Sequence, residues 1–444
     1  MDTKGSLIRT RRATRRVGAQ IRRSRLMSFL AGAGASTAIG QWSRGELSAA
    51  LHAVLYTLFL ILCFAIYFTL RLRREDRSAE RQGASTQEVM RPDPEAEMLA
   101  RSSHEAHVVV GRVIEIFASP NLGGQGALDE KGWKPSDVVF GRTDGKRDFS
   151  PILTEIGGID RHLPLPNRKK FGIAGFSAVT FDSDEQPEIR FYETDWHTYK
   201  SVYQVLNESS PRSSQLRKKF SSLDPAANRV PNSMSLQSVV LFPSHEILCM
   251  SRREGLDTGG WSISFEEQLK DLDFDQMPDV SPAEFLFRRA FVEEVLGCRS
   301  ENVVDIRKAW QDLEQKNLLR SYRLWALFYE VPVAHFQLLG FYWLNATPAE
   351  LASYHLDAKS KGWAGVDPEG KLFVLKVQEW DRLLGSGYGR VSGLYDGSKQ
   401  DIVRLEYLHR TSLYRLWRIA NLLGYTAPSS SDHHLTLLNL AAHS

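Results

Sequence analysis

The sequence predicts a mixed α/β protein behind an N-terminal transmembrane helical hairpin, and three observations predict it. Ala49–Leu70 holds 22 residues without a formal charge, and a helix needs about 20 apolar residues to cross a bilayer core. From His107 onward, short runs rich in β-branched and aromatic residues alternate with turn-forming stretches, the pattern of strands. Ser281–Gly297 then carries the start and stop signals of a helix: Ser281 as N-cap, Pro282 in the first turn, Glu284 completing a capping box and Gly297 at the end.

The membrane elements come first. Leu26–Ser43 is also uncharged and spans roughly 27 Å as a helix. Gly32, Ser36 and Gly40 recur every four residues, a spacing that lets membrane helices approach closely. Arg22, Arg23 and Arg25 precede the first segment, and Arg71, Arg73, Arg74 and Arg77 follow the second. A two-helix hairpin places both clusters on the cytoplasmic side, as the positive-inside rule prefers. The alternative is one span preceded by an interfacial Gly/Ala helix. This reading gives a multi-pass protein of the cell inner membrane with its soluble domain in the cytoplasm and the lipid bilayer as a partner.

Charge and cysteine content bound the rest. The chain has 444 residues and a net charge of +3, while residues 1–81 carry 15 Lys/Arg against five acids. That basic end suits anionic headgroups; no motif supports binding to DNA. Cys63, Cys249 and Cys298 form no CxxC and no paired framework, which argues for a reducing compartment and against structural zinc.

Residues 1–25 read as a basic cytoplasmic arm, 26–71 as the membrane region (helices about 26–43 and 48–70) and 72–104 as a linker. Residues 105–232 read as a β-rich block, with strands at His107–Phe117, Phe171–Phe181 and Glu188–Trp196 and aromatics at helical spacing in Trp196–Tyr203; 208–233 reads as a loop. A second block, 233–425, opens with Ser235–Pro243 and Glu246–Arg253 joined by a tight turn and ends in helices; 426–444 is a tail. Lys169 and Lys170 read as solvated surface.

The chemistry-bearing pattern lies in the second block. Arg289, Glu293 and Glu294 form R-x-x-x-E-E on the capped helix, and Gly260 and Glu266 stand at G-x5-E spacing upstream. Adjacent carboxylates on one helix can present hard oxygen ligands to Mg²⁺; alone, Arg289 and Glu293 are equally an ordinary i,i+4 surface pair. Together these residues resemble the signature of the Nudix family, G-x5-E-x7-R-E-U-x-E-E-x-G-U, over roughly residues 233–380. The sequence departs from it in three places. Ala290 stands where the family has a Glu, 22 residues separate Glu266 from Arg289, and Gly297 comes one residue late. The long gap is acidic (Asp271, Asp273, Asp275, Asp279) and reads as a solvated loop.

The resemblance implies a Nudix-like α/β/α sandwich in which Glu266, Glu293 and Glu294 hold Mg²⁺ if the site is catalytic. Arg252, Arg253 and Arg289 would contact phosphate, and Trp261 would stack on a base. In domain order, the chain resembles the transmembrane–Nudix effectors of bacterial anti-phage CBASS systems. That implies a nucleotide sensor in which a cyclic oligonucleotide drives homo-oligomerisation and disruption of the inner membrane. The alternative is a membrane-anchored, Mg²⁺-dependent Nudix hydrolase of a nucleoside diphosphate derivative, with Glu293 and Glu294 catalytic. Ala290 is the discriminating position.

Overall fold

The computed structural model describes residues 94–424 apart from 104, 110–111, 124, 161–162, 164, 178–185, 209, 253–259, 276–278, 299–302 and 361–369. The strands are β1 (His107–Val109), β2 (Val113–Ala118), β3 (Val139–Arg142), β4 (Lys169–Phe176), β5 (Glu188–Asp195), β6 (Ser235–Leu241), β7 (Ile247–Arg252), β8 (Trp261–Ile263), β9 (Glu266–Gln268), β10 (Leu319–Glu330), β11 (His335–Leu344), β12 (Gly370–Leu375), β13 (Tyr388–Gly393) and β14 (Gln400–Arg404). The helices are α1 (Pro94–Arg101), α2 (Ser150–Ile156), α3 (Trp196–Leu206), α4 (Pro211–Phe220), α5 (Leu272–Asp275), α6 (Pro282–Glu294), α7 (Val303–Gln315), α8 (Pro348–Ser360), α9 (Val377–Ser386) and α10 (Arg410–Leu422).

Among the described residues, eleven strands form one mixed sheet, with the main path β1-β2-β10-β11-β6-β7-β12-β13-β14 and β8 and β9 attached to β7 and β6. The β11–β6 pair is parallel. Strands β3, β5 and β4 form a separate sheet. Side chains alternate across the large sheet, as the two-residue strand period requires. Leu236, Val240, Leu338 and Tyr342 enter one core with Phe287, Ala290 and Phe291 of α6 and with Phe171 and Phe191 of the small sheet. Val239, Leu241, Leu339 and Phe341 enter a second core with Tyr414, Leu416 and Trp417 of α10. Helices therefore cover both faces, which is why every residue of β6 is buried, Ser235, Gln237 and Ser238 included.

Several expectations are corrected. No helix among the described residues is long and apolar enough to cross a membrane. The longest have 13 residues, about 20 Å at 1.5 Å per residue against a hydrocarbon core of about 30 Å. Residues 26–71, where the hairpin is expected, lie outside the described residues, as do the basic arm and the tail. The finding supports a mixed α/β protein with two sheets, and a multi-pass inner-membrane protein is not supported. The two blocks on either side of residue 232 also share one sheet, because β2 pairs with β10 through Ala118↔Ala326 to Val113↔Glu330. The described residues group as one compact unit.

The expected linker contains α1, whose Ala96 is fully buried. The expected loop 208–233 contains α4, capped by Ser210, whose side chain accepts from the Ser213 N–H. Its buried Arg217 pairs with Glu95 of α1 at 3.1 Å.

Candidate ligand-binding site

Helix α6 sets the geometry. Ser281 Oγ accepts from the Glu284 N–H at 3.2 Å and donates to the Pro135 carbonyl, tying the helix start to the earlier block. Gly340 of β11 lets the helix lie close: a Cβ there would stand 2.7 Å from Leu236 Cδ1 and 3.0 Å from Phe287 Cε1. The Tyr342 hydroxyl donates to the Phe287 carbonyl at 2.7 Å. The helix is thereby fixed with Arg289 completely buried.

Arg289 meets a surround of acceptors. Its Nε and Nη2 donate to the two oxygens of Asp273, each at 2.7 Å. Its Nη1 donates to Glu267 at 2.7 Å and Glu293 at 2.8 Å, and Nη2 also donates to the Gln268 carbonyl. A fork-shaped guanidinium suits this task better than an ammonium would. Burial alone would lower the Arg289 pKa, but Asp273, Glu267 and Glu293 raise it well above its ordinary value. Burial would likewise raise Glu267, yet Arg289, Lys270 and a hydrogen bond with Glu294 hold it down at about 2. Glu293 shifts the other way: burial and the Glu267 charge raise it against Arg289 and Lys270. Lys270 Nζ closes the knot, 2.8 Å from Glu293 and 3.2 Å from Glu267.

A belt of charge surrounds it. Arg142 and Lys169 of the small sheet pair with Asp271 at 3.1 and 3.2 Å, and Lys169 with Glu193 at 3.3 Å. Lys170 hydrogen-bonds Gln268 and stands 5.1 Å from the centre of the Trp196 ring. Burial is the main force that pushes its pKa down to about 8, with Lys270 and Arg168 adding and Glu267 opposing. Lys170 is therefore not the solvated surface residue expected, and Asp273 is not part of a solvated loop.

The expected site residues divide between the two faces of the sheet. Arg289, Glu293 and Glu294 come together on the α6 face. Glu266 does not join them: β9 pairs with β6 through Gln237↔Glu266 and Leu236↔Glu267, so neighbouring residues point to opposite faces. Glu266 lies 2.9 Å from His409 Nδ1 and 3.5 Å from Arg415 Nη2, on the α10 side. Glu267 is the residue that reaches Arg289; the G-x5-E spacing singles out its neighbour, Glu266. Trp261 is buried on the α10 side with its ring 5.0 Å from that of Phe373, so it offers no open stacking face. Arg252 ends β7 opposite Gly370, and Arg253 lies outside the described residues.

Sequence reasoning also misses Arg415. Fully buried, it donates to the Ser238, Ile263 and Phe265 carbonyls and to the hydroxyls of Ser262 and Ser412. The signal was available: Arg415 sits on the same helical stripe as Thr411, Ser412 and Ile419, all buried.

The carboxylates do not fit Mg²⁺. Glu267, Glu293 and Asp273 are engaged by Arg289, and Glu267 and Glu293 also by Lys270. Ala290, in the position of a family carboxylate, is fully buried in an apolar core. Among the described residues, no group of three or more His, Cys, Asp or Glu is arranged to hold a metal ion. What the arrangement can do is hold α6, β9 and α5 rigidly within a belt of paired charges. No protein-family model matches the chain, and no curated protein matches it.

Proposed function

We propose that the chain is a Nudix-like nucleotide sensor that binds its ligand without hydrolysing it and responds by self-association. The observation that carries this reading is the Arg289 knot. A hydrolase of this type needs carboxylates free to hold a divalent cation beside a pyrophosphate. Here α6 directs Glu293 onto the buried Arg289 guanidinium, which also holds Glu267 of β9 and Asp273 of α5, and Ala290 supplies no carboxylate. Lys170, held by the neutral Gln268, is the cation of this belt that suits an anionic ligand without breaking an ion pair, and a cyclic oligonucleotide is the class that the sequence resemblance implies. A sensor needs the ligand to bind the associated state more tightly than the resting one.

The test is calorimetry of the full chain with cyclic di- and trinucleotides, combined with light scattering and chromatography of the recovered ligand. Saturable binding, a rise in molecular mass and intact ligand are expected. Mg²⁺-dependent cleavage that is lost in Glu294→Gln, or no binding to any member of the panel, contradicts the reading.

A further inference from the structure

We propose that the groove between Lys134–Ser136 and Arg320–Arg323 is an anion site that takes a phosphate group of the ligand, an assignment that rests on the nucleotide-binding reading above. The groove has a structural origin. Trp133 and Leu324 exchange two backbone hydrogen bonds of 2.9 Å. Beyond that bridge the next residue in register, Pro135, has no N–H to continue the ladder, and Pro135–Asp137 turns away as a short 3-10 helix. The start of β10 is thus left with an open edge. Antiparallel parity puts the Tyr322 backbone N–H on the same edge as that of Leu324.

The space between the two segments is about 220 Å³ and is lined by Lys134, Ser136, Arg320, Ser321, Tyr322 and Arg323, together with Pro135. Three of these are cations. Arg320 is held through Nε on Asp129 Oδ2 at 2.8 Å, with its guanidinium 4.6 Å from the centre of the Trp343 ring. Arg323 is held through Nε on the Asp129 carbonyl at 2.8 Å. Both forks are anchored at one end, a posture that preorganises the Nη groups for a bidentate oxyanion.

Asp129, and Asp137 through the Ser136 hydroxyl at 2.9 Å, are the carboxylates at the margin, so the groove stays net positive. Ser321 Oγ is buried and lacks a hydrogen-bond partner. A buried hydroxyl in that condition calls for a ligand or water. The Tyr322 phenol is already committed to Glu284 of α6 at 2.9 Å, so it links the groove to the helix that carries Arg289. The volume falls below the roughly 300–1,000 Å³ of a site that encloses a drug-sized ligand. It suits one phosphodiester of a larger molecule.

The test is titration of the full chain with inorganic pyrophosphate, with adenosine as the uncharged control. Lys134→Glu combined with Arg320→Glu should weaken pyrophosphate binding at least about tenfold, a difference of about 1.4 kcal/mol. Lys399→Glu, an exposed charge reversal elsewhere, should leave it within twofold, and both variants should keep the wild-type circular dichroism spectrum. Wild-type protein that binds no pyrophosphate, or a double variant that binds as wild type does, overturns the assignment. A double variant that still binds a cyclic nucleotide with wild-type affinity removes this groove and leaves the sensor reading in place. Cleavage of the nucleotide by wild-type protein removes the sensor reading while pyrophosphate binding still decides the groove.

Discussion

At position 289, the N–H groups of one guanidinium meet three carboxylates and a carbonyl with no water between them, and the chemistry of the site follows from that. Removing the cation would leave the buried Asp273 without its ion-pair partner and Glu267 and the part-buried Glu293 with Lys270 alone. Arg289→Met should therefore destabilise the protein by about 3–5 kcal/mol in urea denaturation, and Arg289→Lys should recover only part of the loss, because an ammonium cannot reproduce the fork. A pH dependence follows from Glu267. Its folded pKa of about 2 lies below the ordinary 4.5, so the unfolded chain takes up the proton first as pH falls. Its contribution is complete above about pH 4.5 and is lost between there and about pH 2. The ceiling is about 3 kcal/mol, and Glu293, raised by burial, offsets part of it. Glu267→Gln should flatten the acid limb of a melting-temperature profile; a limb unchanged from wild type would show that Glu267 is not the group responsible. The sequence made Arg289 and Glu293 legible, because both sit on a capped helix with a recognisable spacing. Glu267 and Asp273 were not legible. The first needed the strand's face parity, and the second needed the fold of a 22-residue segment between Glu266 and Arg289 that composition alone renders as loop.

Elements carry the precision of the site. The capping signals of α6 were readable residue by residue, and the structure uses them: Ser281 caps the Glu284 N–H. Ser281→Ala should cost about 1 kcal/mol, with an added loss from the Pro135 contact. Gly340→Ala tests the seat of the helix. The new methyl group meets Leu236 and Phe287 at 2.7 and 3.0 Å, and overpacking of this kind costs typically about 1–3 kcal/mol. Chemical denaturation should show that loss, whereas a neutral substitution would mean that the helix is free to shift outward. Helix α4 was hidden because its sequence is mostly Ser, Lys and Arg. Its place is fixed by the Ser210 cap and by Arg217 reaching Glu95, and a contact 122 residues apart in the chain leaves no local trace.

On the scale of the whole molecule, the boundary expected near residue 232 does not separate two folding units. Removing residues 105–232 would uncover the β10 edge from Ala326 to Glu330 and strip Phe171 and Phe191 from the α6-side core. A fragment of residues 233–425 should aggregate, since exposed edges recruit other strands. A soluble fragment with a cooperative thermal transition would contradict this shared-sheet architecture. The apolar runs and turns announced strands and helices in about the right places, but not which strands become neighbours, because pairing is decided by long-range packing. The most direct measurement is ³¹P NMR of the full chain with Mg²⁺ and a nucleoside diphosphate derivative. Ligand resonances that shift and broaden with no new phosphomonoester signal are the result expected of carboxylates locked onto Arg289. A new phosphomonoester resonance that disappears in Glu294→Gln would contradict it.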